Sequence, residues 1–392
     1  MADPQATRPR LLTPTLFAVF GATSGGMVSF FLLLSVAPLY ATATGGGESA
    51  AGAVTGALLL ATVAAELVTP RLLVRFGARL VFAVGLVLLG APAFALPVAA
   101  DPAVVIAVSA LRGIGFGFVV VLGSTLVAQL VPAERRGEGL GLLGLVMSVP
   151  GVLFLPFGVF LVDLIGYPVV FVAGAVASLL GLAAAPGLPG RVSPDAPRVG
   201  IRRGLRMPEM RRPAVVFAAT AMAAGVVVTF IPLAVGGSGR LAALALLVQA
   251  VTLAATRWWA GWYGDRHGPA RLMLPALLAT AGGILLLVLV DQPVALLLAM
   301  ALFGGGFGAI QNASLASMFR RVPPAGYAMV GAVWNLAYDA AMGLGAIVFG
   351  LLVVYTGYSW GFLLTGALML LALAPAWWDR RAASRPPAAD PS

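Results

Sequence analysis

The chain has 392 residues, 60% of them hydrophobic and only 10% charged, with a formal net charge of +10 and a mean hydropathy of +1.01. So little polar surface cannot coat a soluble globule, and the composition is that of an integral membrane protein. Cysteine is absent and histidine occurs once, which argues against a disulfide framework, thiolate chemistry or a Cys/His metal site, and no metal or cofactor is expected.

Twelve apolar stretches of about 20 residues or more follow one another. They lie near 14 to 37, 50 to 70, 78 to 97, 103 to 131, 138 to 162, 168 to 186, 213 to 235, 240 to 262, 270 to 290, 293 to 319, 325 to 353 and 357 to 378. Each is long enough to cross a hydrocarbon core of ~30 Å as a helix. The first is too long for a signal-peptide core and lacks a clear small-residue cleavage site, so it is expected to stay in the protein. All 24 basic residues are arginine, and 21 of them fall at the termini and in the loops on the same side. The opposite loops hold only Arg240, while Arg112 and Arg257 lie within helices. By the positive-inside rule both termini are expected in the cytoplasm, here of a bacterial inner membrane. The basic balance is therefore topological and does not mark a nucleic-acid surface.

The two halves repeat at a constant offset of 191 residues. "LRGIGFG" (Leu111 to Gly117) meets "LFGGGFG" (Leu302 to Gly308), Pro132 meets Pro323, Gly166 meets Gly357 and Phe171 meets Phe362. "ELVTPRLLVRFG" (Glu66 to Gly77) likewise meets "RWWAGWYGDRHG" (Arg257 to Gly268). The expected fold class is an all-α membrane protein of two pseudo-symmetric six-helix bundles, residues 1–186 and 213–392. A basic cytoplasmic linker, 187–212, joins them, and its "RRGLRMPEMRR" end is expected to lie along the anionic leaflet.

With these residues in place, the chain resembles the major facilitator superfamily over essentially its whole length. The family's Gly-x-x-x-Asp-Arg-x-Gly element is complete in the second half as Gly261, Asp265, Arg266 and Gly268. In the first half Pro70 and Val74 replace the glycine and the acid, leaving Arg75, Gly77 and Arg79. The resemblance implies that this element is a cytoplasmic gate, carried mainly by the second half. Arg112, followed by Gly113, Gly115 and Gly117, is similar to the fourth-helix arginine that the family links to proton turnover. "SVPGVLFLPFG" (Ser148 to Gly158) only loosely matches the exporters' fifth-helix Gly-Pro motif.

Charges at depth cost at least ~2.5–3.5 kcal/mol on insertion scales and usually line a cavity. Asp339 shares a helix face with Gly331, Asn335 and Gly343 and is the leading candidate for proton coupling, with Glu66 and Arg112. Arg257 is its candidate charge partner, neutralising Asp339 or Glu66 in one conformation and releasing it in another. His267, in the loop beside Arg266, is read as a solvated side chain and not as a proton relay. The polar residues Gln249, Gln311, Asn312, Asn335 and Tyr338, with Phe30, Phe31, Met147 and Trp334 as apolar wall, form a candidate substrate pocket suited to a lipophilic small molecule.

The favoured reading is a secondary active transporter that exports a drug or secondary metabolite by proton antiport. The alternatives are a proton symporter importing a metabolite and a membrane sensor without transport. No nucleophile with an adjacent base and no phosphate loop appears, so an enzyme is not expected. The proton gradient is the expected driving force and the lipid bilayer the surroundings. One chain supplies both halves, so a monomer is expected.

Overall fold

The structure, a computed structural model, describes residues 13–132, 135–190, 204, 206–236, 238–323 and 326–383. Most of the linker, 191–203 and 205, lies outside the described residues, and so does its expected contact with lipid. Among the described residues the regular structure is helical throughout. Ten helical runs are long and apolar enough to cross a membrane. Two of them, Pro14–Phe76 with 63 residues and Met329–Asp379 with 51, are each more than twice the roughly 20 residues of one crossing. The first breaks at Gly45 and Gly47 and the second at Gly357, all with positive φ, so twelve crossings result.

These crossings are α1 (Pro14–Leu34, extended by Val36–Ala41), α2 (Gly47–Phe76), α3 (Ala78–Gly90), α4 (Pro102–Leu130), α5 (Arg136–Ile165), α6 (Tyr167–Gly181), α7 (Pro208–Ala234), α8 (Gly239–His267), α9 (Ala270–Leu286) and α10 (Pro293–Phe319), followed by α11 (327–356) and α12 (358–370). A short helix, α13 (Leu373–Ala383), follows them. We call the side on which α1 begins and α12 ends the terminal face, and the opposite side the far face.

Packing repeats with the same 191-residue offset as the sequence. Gly113 of α4 lies against Leu58, Gly115 against Gly85 and Leu89, and Gly117 against Thr62 and Glu66; in the second half Gly304 lies against Gln249, Gly306 against Ala276 and Thr280, and Gly308 against Leu253 and Thr256. Positive-φ glycines pair in the same way: Gly45 with Gly236, Gly77 with Gly268, and Gly166 with Gly357. Apolar matching alone cannot drive helices together in lipid, so close backbone approach through small residues takes its place.

Several helices outrun their apolar cores. The sequence places Asp265 where α8 ends and His267 in a loop, but α8 continues through His267 and stops at Gly268, whose φ of 88° a side chain would resist. Arg266 and His267 thus occupy the last helical turn, where cations favour the carbonyl end of the helix dipole. Arg75 does the same in α2.

Candidate transport site

The halves meet along two seams, α2 against α11 and α5 against α8. At the far face the first seam is tight. Gly52 rests on the Ala346 carbonyl, Gly56 on Ile347, and Gly350 on the Glu48 carbonyl and Gly52. Hydroxyls complete the closure: Ser35 Oγ donates to the Val228 carbonyl at 2.7 Å, Thr55 and Thr229 share a hydrogen bond of 2.8 Å, and the Tyr358 hydroxyl stands 3.5 Å from Glu48 Oε1. At the far end of the second seam Gly239 of α8 touches Asp163 of α5. Toward the terminal face the contacts stop: Gly141 and Gly144 of α5 and Gly331 of α11 have nothing within 4 Å of where a side chain would start. The central cleft is therefore shut at the far face and open toward the terminal face.

Inside it, the α2–α11 seam carries two acids. Gly343 sits level with Leu59 and Leu60. Two turns further along α2 comes Glu66, and one turn back along α11 comes Asp339, so their carboxyls confront each other across the seam and interact electrostatically. Asp339 is 5% exposed, and Glu66 Oε1 is buried without a hydrogen-bond partner.

Arg257 occupies on α8 the place that Glu66 occupies on α2. It lies within electrostatic reach of the Tyr338 hydroxyl, yet it is in neither ion pair found among the described residues, which are Arg135–Glu138 and Arg321–Asp379. Among the described residues Arg257 is thus paired with neither Glu66 nor Asp339. The residue 191 positions before Asp339, on α5, is Ser148. The second seam therefore offers Arg257 no equivalent acid.

Between the seams stands an aromatic stack. Phe217 of α7 lies parallel to Trp334 with centroids 4.3 Å apart and to Tyr338 at 5.6 Å, while the Trp334 indole N–H donates to Ser314 Oγ at 3.1 Å. Phe217 is absent from the sequence-based pocket because nothing separates it from ordinary helix packing until α7 and α11 are brought together. In the first half Phe30 is buried face to face on Phe116 at 3.6 Å, and Phe31 lies edge-on to Phe30 and against Gly151. The loose fifth-helix motif thus appears as α1–α5 packing, with Gly151 on Phe31 and Gly158 on the Leu32 carbonyl.

The remaining candidates separate. Met147, Asn335 and Tyr338 are half-buried on α5 and α11, and Gln249 and Gln311 are buried on α8 and α10. Asn312 lies elsewhere, against Gly261 near the terminal face, where it lines a cavity of about 230 Å³ with Asp265, Pro269 and Arg320. Arg112 is wholly buried in the first half: Nε donates to the Leu89 carbonyl and Nη2 to the Ser29 carbonyl, both at 3.0 Å, so it ties α4 to α3 and α1.

Within the gate element, Asp265 is exposed and has no ion pair among the described residues. Arg266 lies 4.1 Å over the Trp262 ring, and His267 stacks on Tyr263 at 4.3 Å. Arg75 stands over Phe76 at 5.2 Å. Arg79 donates twice to the Leu188 carbonyl, at 3.0 and 2.8 Å, and Gly77 packs under Gly190. These first-half residues secure the start of the linker to their own half.

Two like halves of long apolar helices around a charged cleft that opens on one side have the architecture of a multi-pass membrane protein. The family model for the Major Facilitator Superfamily matches residues 18–237 and again 213–392. The chain belongs to that superfamily. Among solved structures it is similar to a bacterial homolog of the human lysosomal transporter Spinster in an inward-facing, unoccupied conformation (TM-score 0.77, 14% identity, 95% of this chain and 98% of that one). It is also similar to the xylose transporter XylE from E. coli, partially occluded and inward open (TM-score 0.73, 16% identity, 93% and 98%), and to the nucleoside transporter NupG (TM-score 0.69, 15% identity, 95% and 100%). By sequence it is 30% identical over 129 residues to an uncharacterized MFS-type transporter of Mycobacterium tuberculosis, covering 33% of this chain and 22% of that protein. A second uncharacterized MFS-type transporter, from Salmonella typhimurium, is 28% identical over 130 residues, 33% of this chain and 34% of that protein. The chain thus matches about a fifth to a third of the length of these curated relatives.

Proposed function

We propose that the chain is a proton-coupled antiporter that exports a lipophilic small molecule from the cytoplasm by alternating access, acting as a monomer with the proton gradient as its driving force. The arginine distribution supports a cytoplasmic terminal face in a bacterial inner membrane, which makes the present state inward-facing. The observation that carries the reading is the Glu66–Asp339 pair across the seam that must part for the cleft to change sides. Two negative charges facing each other in a low-dielectric seam repel strongly, and a shared proton or a bound cation relieves that repulsion. Opening the far face and closing the terminal one would change the spacing of the acids and so their hold on proton or cargo, which exchanges one for the other. The aromatic stack and sparse polar lining suit an apolar cargo better than a sugar.

The gate element fits the same cycle. Asp265, in no ion pair among the described residues, would engage arginines or a helix N-terminus of the first half when the terminal face closes. The coupling reading is tested by accumulation of fluorescent lipophilic cations in cells expressing wild type or Asp339→Asn, with and without a protonophore. Lower accumulation in wild type alone, abolished by the protonophore, is the expected outcome. Equal accumulation in all cells would defeat export and turn the search to metabolite uptake.

A further inference from the structure

The charges in the cleft are segregated. One seam holds Glu66 facing Asp339, while the other carries Arg257 on α8 and, at the α5 position that the repeat matches to Asp339, Ser148 instead of an acid. An arginine at membrane depth is costly and normally finds a carboxylate, and here the two carboxylates of the cleft lie on the opposite seam, with Glu66 Oε1 lacking a hydrogen-bond partner among the described residues. Arg257 makes no hydrogen bond among those found in the described residues, and its electrostatic neighbour is the neutral hydroxyl of Tyr338. Of the flat stack, Phe217 is wholly buried behind Trp334 and Tyr338, which are half-buried, with Tyr338 next in sequence to Asp339 and in reach of Arg257.

We propose that the transported molecule is an aromatic zwitterion, its ammonium held by Glu66 and Asp339 at the α2–α11 seam, its ring against the half-buried Trp334 and Tyr338, and its carboxylate on Arg257. This deepens the reading of the cleft as the transport site and rests on it. A cation without the carboxylate would leave Arg257 unpaired; an anion without the amine would leave the acids facing one another. Arg257 therefore selects the cargo. Guanidinium suits this task because it accepts a carboxylate through two parallel N–H bonds.

Three related probes separate the contributions: norfloxacin, which carries a secondary amine at one end of a flat ring system and a carboxylate at the other, its ethyl ester, which keeps the amine alone, and its N-acetyl derivative, which keeps the carboxylate alone. Binding to the detergent-purified full chain is followed by the intrinsic fluorescence of the quinolone. The zwitterion is expected to bind about tenfold more tightly than either singly charged derivative. Arg257→Gln should bring the zwitterion to the affinity of the ester, Arg257→Lys should restore part of the difference, and Asp339→Asn should bring the zwitterion to the affinity of the N-acetyl derivative. An ester that binds as tightly as the zwitterion, an Arg257→Gln protein that still prefers the zwitterion, or a zwitterion that does not bind overturns the proposal. These binding ratios are read without a gradient, so a failure of proton-driven export in cells leaves them intact as a separate result.

Discussion

Gly350→Ala is the sharpest probe of which conformation the glycine seam stabilises. A methyl group at Gly350 would lie 2.7 Å from the Glu48 carbonyl and 3.2 Å from the Gly52 Cα, where ordinary contact begins at 3.4 Å. These two are helix backbone of the opposite half and cannot rotate away, and the Phe230 ring stands at 3.1 Å. The seam must widen by about 0.7 Å, the difference between 3.4 and 2.7 Å, and overpacking of this kind costs roughly 1–3 kcal/mol. That cost falls on the state with the far face shut and shifts the equilibrium about 5- to 150-fold toward the state with the far face open. The absence of cysteine makes the assay clean: a single Thr229→Cys reports how often the far face opens, through its labelling rate with a membrane-impermeant maleimide. Gly350→Ala in that background should raise the rate by a factor in this range. Gly282→Ala, whose methyl meets only Leu302 at an ordinary 3.5 Å, should leave it unchanged. Equal rates in the Gly350→Ala and reference proteins would refute the claim that close backbone approach at this seam holds the far face shut.

The same labelling assay reads the opposite gate. Asp265 has no ion pair among the described residues, so Asp265→Asn should weaken only the state with the terminal face closed and lower the Thr229→Cys labelling rate several-fold; an unchanged rate would reduce the element to a loop anchor. Arg321 makes paired bonds of 2.7 and 2.8 Å to Asp379, whose side chain is 1% exposed, and also donates to the Glu209 carbonyl, tying α10, α13 and the start of α7 together. Asp379→Ala should cost about 3 kcal/mol and lower the Tm of the purified protein clearly, because it strands a partly buried guanidinium. Glu138→Ala, which breaks the exposed Arg135–Glu138 pair, should change Tm little, since such pairs contribute about 0–1 kcal/mol. A Tm loss for Asp379→Ala no larger than for Glu138→Ala would remove the clamp.

The sequence by itself determined the crossings, the two halves and the charges worth asking about. Lipid permits few spanning structures, so an apolar run of sufficient length already fixes a helix, and the 191-residue offset that matches Glu66 to Arg257 in the chain also matches them in space. The ends of those helices were less legible. Asp265 and His267 read as a boundary and a loop because apolarity stops before them, but the hydrogen-bonded spiral continues until Gly268 turns it. The tertiary structure alone decided what each charge faces. Whether Arg257 meets Asp339 depends on how α8 and α11 pack within the second half, and whether it meets Glu66 depends on how the two halves lean; no local pattern records either. The same holds for Arg112, which binds carbonyls of α1 and α3, and for Asn312, which packs on Gly261 near the terminal face. It holds too for Ser35, Thr55 and Thr229: hydroxyls in apolar helices commonly bond their own backbone, and only the closed seam gives these three a partner in the other half.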